Sequence, residues 1–299
     1  MMNAILFPGQ GVQTVGMMDS LFSSSEKAKD LFIKASDAID IDLVELVSDD
    51  SNNLIDLTEY SQPIILASSI AFAEHFTDKA NFNFCAGLSL GEYSALVYSG
   101  CLDFLDAIKL VHIRGKLMQN SVAPGEAKML VVMGMNHDDI QSLIKELSDD
   151  GCTVNLSTDT ADGMGVLAGE TANIEKCKTL LESKELRRVK TQYVNMSVPS
   201  HCYLLKDAQE KLASELEKIE FRDPRVPIIS NFTALPTSDI DEIKDNLINQ
   251  LCETVRWRET LDFLDKSKVL SITDSGPGKT IIGMARKFKE MEKLALIDS

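Results

Sequence analysis

Apolar residues fall along this chain in short runs separated by longer stretches of helical spacing. Residues 3–7 form an apolar run that breaks at Pro8-Gly9-Gln10-Gly11, the pattern of a buried strand ending in a loop rich in free backbone. Amphipathic helical spacing follows near 19–39 and 61–78. A second apolar run at 82–86 meets Gly87-Leu88-Ser89-Leu90-Gly91, after which 92–99 reads as helix and Gly100 as its stop. Beyond Pro124-Gly125 the units become smaller: strand 129–134, helix 138–147, strands 152–157 and 165–169, helix 172–183 and strand 188–194. This β-α-β-β-α-β order predicts a ferredoxin-like module inserted between Pro124 and Pro199. The chain then reads as a helix from Ser200 to about Lys218, a strand at 226–230, helices near 239–252 and 258–266, a strand at 269–273 and a final helix after Gly278. The expected fold class is therefore α/β. Its organisation is a discontinuous main domain of residues 1–124 and 199–299 carrying a small subdomain of residues 125–198.

The chain has 299 residues, with 44% hydrophobic and 25% charged positions, enough to bury a large core. Thirty basic against 46 acidic residues leave a net charge of −16, which argues against a general nucleic-acid binder. The six cysteines contain no C-x-x-C pair, so neither a zinc site nor a redox pair is expected, nor any other metal or cofactor. Residues 1–18 lack a basic leader region, and the apolar stretch 60–73 is interrupted by Ser, Gln and Pro and too short to span a bilayer. A cytoplasmic enzyme without a membrane anchor is the expectation.

Candidate chemistry centres on Gly87-Leu88-Ser89-Leu90-Gly91, a G-x-S-x-G elbow between a predicted strand and helix, where small flanking residues permit the tight turn that exposes a serine hydroxyl. A serine needs a base, and the chain offers His75, His112, His137 and His201. His75, His112 and His137 fall in or at the start of helical patterns. His201 follows Ser197-Val198-Pro199-Ser200, where the chain re-enters the main domain, and its position alone leaves it divided between a base and a structural role. Gly9 and Gly11 permit close approach of a ligand to the backbone. Gly276-Pro277-Gly278-Lys279-Thr280 lacks phosphate-loop spacing and reads as a turn before a helix.

Together these segments resemble the malonyl-CoA:acyl carrier protein transacylase family, almost end to end. The resemblance is carried by residues 7–13, by Gly87-Leu88-Ser89-Leu90-Gly91-Glu92-Tyr93-Ser94-Ala95-Leu96, and by Arg114-Gly115-Lys116-Leu117-Met118-Gln119. Further marks are residues 197–202, Gln250-Leu251 with Val255 and Trp257, and Gly276-Pro277-Gly278-Lys279. It implies an α/β-hydrolase-like core with a ferredoxin-like insertion. It implies Ser89 as nucleophile, His201 as base, a main-chain carbonyl near Gln250 orienting the imidazole, and an oxyanion hole from the N–H groups of Gln10 and Leu90. It implies Arg114 as partner of a malonyl carboxylate, with malonyl-CoA and an acyl carrier protein as partners. Leu88 stands where the family has histidine, and Thr158 to Met164 departs from the family pattern over the cleft. Leu90 resembles malonyl-selective members.

Both implied partners are anionic, so the chain needs a local positive patch; Arg187, Arg188 and Lys190, or Lys279, Arg286, Lys287 and Lys289, could supply it. Competing readings are a thioester hydrolase, a carrier-binding module without catalysis, and an acyltransferase acting in trans on a polyketide assembly line. Arg114 argues against the first, and the presence of both Ser89 and His201 against the second.

Overall fold

The computed structural model describes residues 2–77, 82–184, 186–194, 196 and 198–296. Asp78, at the predicted end of the second helix, and Ser197, one of the marks of resemblance, lie outside them. The strands are β1 (Met2–Phe7), β2 (Phe84–Gly87), β3 (Ala127–Met133), β4 (Asn155–Ala161), β5 (Met164–Glu170), β6 (Lys190–Tyr193), β7 (Ile228–Ile229), β8 (Pro236–Thr237), β9 (Val269–Asp274) and β10 (Glu292–Ala295). They form two sheets, one ordered β10-β9-β1-β2-β7-β8 and the other β4-β5-β3-β6.

The larger sheet is parallel from β10 to β7. A parallel sheet is covered on both faces, so the middle of its central strands, Ala4 to Phe7 and Phe84 to Ala86, is a continuous apolar run. In β1, Ile5 and Phe7 join the cluster under the helices Glu26–Ile39, Thr58–Phe76 and Phe104–Gln119. Ala4 and Leu6 join the opposite cluster, with Trp257, Leu261 and Ile272. The helix Thr58–Phe76 is buried almost all round and contains Pro63. Proline has no N–H, so the carbonyl of Glu59 loses its intrahelical donor and accepts instead from Nδ1 of His112 at 2.9 Å. His112 is thereby a structural histidine, and His75 is exposed.

The smaller sheet is antiparallel throughout, with the strand order of a ferredoxin-like module. Leu130 and Val132 face the helices His137–Asp149 and Thr171–Ser183, whereas Met129 and Val131 face the larger sheet's side. The fold is thus an α/β-hydrolase-like core with a ferredoxin-like insertion.

Several local expectations change. The first long helix is two, Asp19–Ser24 and Glu26–Ile39, because Ser25 is extended and its side chain caps Ala28 N–H. The helix expected from Ser200 begins only at Lys206, after the 3-10 turn Tyr203–Leu205, because His201 has φ 54°. The strand expected at 226–230 contracts to two residues after Pro227 and pairs with an unforeseen β8. The final helix is only Thr280–Met284, and the chain returns as β10 on the sheet edge.

Candidate active site

The elbow follows from steric limits on the turn between β2 and the helix Gly91–Ser99. A side chain at Gly91 would place its Cβ 2.2 Å from the carbonyl oxygen of Phe7, and one at Gly87 would sit 1.8 Å from the carbonyl carbon of Gly91. Only glycine at both positions lets the turn close against β1. Ser89 then takes φ 53°, a strained left-handed conformation held by its N–H bond to Asn231 Oδ1 at 2.6 Å. Asn231 Nδ2 also donates to Gly87 O at 2.6 Å, so one side chain clamps both ends of the turn.

His201 meets this serine from the far side of the sequence. Its Nε2 lies 2.6 Å from Ser89 Oγ and its Nδ1 lies 2.6 Å from the carbonyl oxygen of Gln250. A carbonyl accepts but cannot donate, so Nδ1 carries the proton and Nε2 presents a lone pair to the serine hydroxyl. Burial, then the charge of Arg114, push the imidazole down to about 3. It is therefore neutral, as a base must be, at physiological pH.

Arg114 projects from the helix Phe104–Gln119 and is 1% exposed. It donates to Gln62 Oε1 at 2.9 Å, to Gln250 Oε1 at 3.1 Å and to Ser89 Oγ at 3.4 Å. All three acceptors are neutral, and among the described residues no carboxylate forms a salt bridge with it. Glu92 lies deeper. Its Oε2 accepts from Gln250 Nε2 at 2.8 Å and from Asn231 N–H at 3.1 Å, and burial raises its carboxyl to about 7. Gln250 Nε2 also donates to Ser89 O at 2.9 Å.

The N–H groups of Leu90 and Gln10 are bonded to no acceptor among the described residues. Gln10 is held by its side chain, which donates to Thr58 Oγ1 at 3.1 Å. These groups line a cavity of about 250 Å³ between the two sheets. Its opposite wall is Met129, Val131, Thr158, Thr160, Met164, Val166, Val194 and Met196 from the smaller sheet and its continuation. A hydroxyl aimed at a neutral imidazole, a fixed cation beside it and free backbone N–H groups suit acyl transfer to and from a serine.

An acyl transferase domain model matches residues 5–270. The malonyl CoA-acyl carrier protein transacylase of Haemophilus influenzae is 37% identical over 95% of this chain and 91% of its own length. The chain belongs to the malonyl-CoA:acyl carrier protein transacylase family. The FabD structure from Acinetobacter baumannii is 34% identical, with a TM-score of 0.94 over 99% of this chain and 94% of that one. A malonyl-transacylase solved with its type II polyketide synthase acyl-carrier protein is also 34% identical, with a TM-score of 0.94 over 100% of this chain and 97% of that one.

Against that family the chain keeps Leu88 in place of histidine; it is half-buried, packs on the cluster around Trp257 and lines the cavity. His137 stays outside the cavity lining, with Nδ1 3.0 Å from Asp159 Oδ2. The sequence assigns no role to Asn231 or Gln62, and it marks Glu92 only as part of the motif after Ser89. Gln62 and Glu92 carry a signal, as polar residues within helices otherwise buried; Asn231 has none, since it follows a two-residue strand.

Proposed function

We propose that this chain moves a malonyl group from malonyl-CoA to the phosphopantetheine thiol of an acyl carrier protein, for fatty acid synthesis in the cytoplasm. The observation that carries this reading is Arg114: a buried guanidinium that no carboxylate of the described residues pairs with, 3.4 Å from Ser89 Oγ, suits an acyl group that bears its own carboxylate. Ser89 Oγ attacks the thioester carbonyl while its proton passes to His201 Nε2. The N–H groups of Gln10 and Leu90 take up the oxyanion, the C–S bond breaks, and the leaving sulfur receives the proton from His201. In the second half, the carrier thiol gives its proton to His201 and attacks the serine ester, returning Ser89.

The malonyl carboxylate also acts on the base. By neutralising Arg114 it removes one of the two causes that hold His201 down, so the imidazole gains basicity when the correct acyl group is bound. Residues 1–124 and 199–299 form the domain that bears this dyad, and residues 125–198 the subdomain that roofs it. The exposed cations Arg286 and Lys289 follow Met284 at the cavity and offer a positive rim for the anionic donor and carrier protein, whereas Lys287 is paired with Asp262, and Arg187 and Arg188 line a separate pocket of the subdomain. Relatives that serve a polyketide carrier share the same chemistry, so the carrier used is the point on which that reading differs.

The experiment is intact-mass measurement after mixing with malonyl-CoA and then with a holo acyl carrier protein. A malonyl adduct that transfers to the carrier is expected, with Ser89→Ala taking no adduct. An adduct lost only as free malonate would make the protein a thioester hydrolase.

A further inference from the structure

Strand β4 carries the first half of the segment that departs from the family pattern, and its pairing with β5 is irregular at two places. Leu156 pairs with Leu167 and Thr158 with Val166, so Ser157 is an extra residue; Asp159 pairs with Gly165 and Ala161 with Met164, so Thr160 is another. Such extra residues re-aim side chains. In a regular strand Leu156, Thr158 and Thr160 would share one face. Here Leu156 lies in the core beneath the module's helices, whereas Thr158 and Thr160 line the cavity that holds Ser89.

Thr160 is 4% exposed, and its Oγ1 has no hydrogen-bond partner among the described residues. A buried hydroxyl without a partner is costly, and one that borders a cavity points to a ligand that completes it. Its place is fixed from the core domain. Asp159 N–H donates to Val255 O and Val255 N–H donates to Ser157 O, each at 2.9 Å, while Arg256 N–H bonds Asn231 O at 2.9 Å. Asn231 in turn holds Ser89 N–H, so the hydroxyl and the nucleophile share one backbone frame.

We infer that Thr160 is a binding residue for the thiol arm of the acyl donor, its hydroxyl bonding an amide of the pantetheine chain. This rests on the transacylase reading above. The acyl carboxylate is taken by Arg114 on the opposite wall. The wall around Thr160 is Met129, Val131, Met164 and Val166, which suits uncharged methylenes and repels a charge. An amide leaving water for that wall needs a partner, and a hydroxyl can serve either its N–H or its carbonyl. Coenzyme A and a holo carrier protein present the same arm, so one hydroxyl serves both half-reactions.

The test measures kcat/KM for Ser89 acylation by malonyl-CoA and by the S-ethyl thioester of malonate, which lacks the amides. Thr160→Val, equal in shape, should lose about 3- to 10-fold with malonyl-CoA, the worth of one hydrogen bond, and nothing with the ethyl thioester. Thr160→Ser should keep wild-type values on both, and Thr160→Ala serves if the valine variant does not fold. Equal losses on both substrates, loss on the ethyl thioester alone, or no loss on either overturns the inference. Failure of the underlying reading is separate: wild-type protein would then take no malonyl mass from malonyl-CoA.

Discussion

At the scale of single residues, the proposed function turns on the buried cation Arg114 receiving the carboxylate of the acyl group. Removing one partner of a buried pair costs about 3–5 kcal/mol, so Arg114→Ala should lower kcat/KM for malonyl-CoA by roughly a hundredfold to a few thousandfold. Acetyl-CoA carries no such charge, and its slow loading should hold or rise. Arg114→Lys should recover only part of the loss, because it keeps the charge without the planar fork. Equal losses with both thioesters would show that Arg114 holds the fold instead. A second prediction concerns pH. The free enzyme's His201 sits near 3, so loading should show no loss of base near the ordinary histidine range as pH falls. Glu92 titrates near 7, and its ionised form is the stronger acceptor for Gln250 and Asn231, which position the dyad. The kcat/KM for loading should therefore step upward through about pH 7 and become flat in Glu92→Gln, measured between pH 4.5 and 8.5. A step that survives the substitution would assign it to another group.

At the scale of elements, the elbow works because two glycines let β2, the turn and the following helix close against β1. Gly91→Ala would force Cβ to 2.2 Å from Phe7 O, a contact that must be relieved by moving backbone. Since Ser275 N–H also bonds the adjacent Leu6 O, that strand end has little room to yield. The variant should lose several degrees of Tm in calorimetry and more than 100-fold in malonyl-enzyme formation. Wild-type loading by Gly91→Ala would show that the turn is not steric in origin. The glycine pattern was readable from sequence, as was the strand–turn–helix order around it. The short strand β7 and its hairpin with β8 were not, because two-residue strands have no periodicity to read.

At the scale of the whole molecule, the roof of the cavity is tied to its floor by an ion pair between a buried carboxylate and a partly exposed guanidinium. Arg258 reaches Asp159 at 2.9 to 3.2 Å, bridging the helix Trp257–Lys266 of the core to β4 of the smaller sheet. Asp159 is almost fully buried, so Arg258→Ala leaves its carboxylate with only the His137 imidazole beside it, whereas Asp159→Asn with Arg258→Met removes both charges of the pair. The single change should lower Tm more than the double and should raise KM for malonyl-CoA more than it lowers kcat, because the roof shifts while the dyad stays. Thermal melts and steady-state kinetics on the three proteins check this; a double variant less stable than Arg258→Ala would reverse the argument.

What the sequence determined by itself is local: the apolar runs that become β1 and β2, the glycine-bounded elbow, the β-α-β-β-α-β order and the ordered motifs that resemble one family. Each single strand, helix or turn among them depends on spacing within roughly one element, where steric and hydrophobic rules act directly. The resemblance implied that His201 serves Ser89, and the tertiary structure brings them together across 112 positions; it alone decided that Asn231 and Glu92 lock the turn and that Thr160 faces the cavity. Those contacts arise where parallel strands end side by side and where β4 slips register against β5. Neither the meeting of distant chain segments nor a one-residue shift in pairing leaves a periodic trace along the chain.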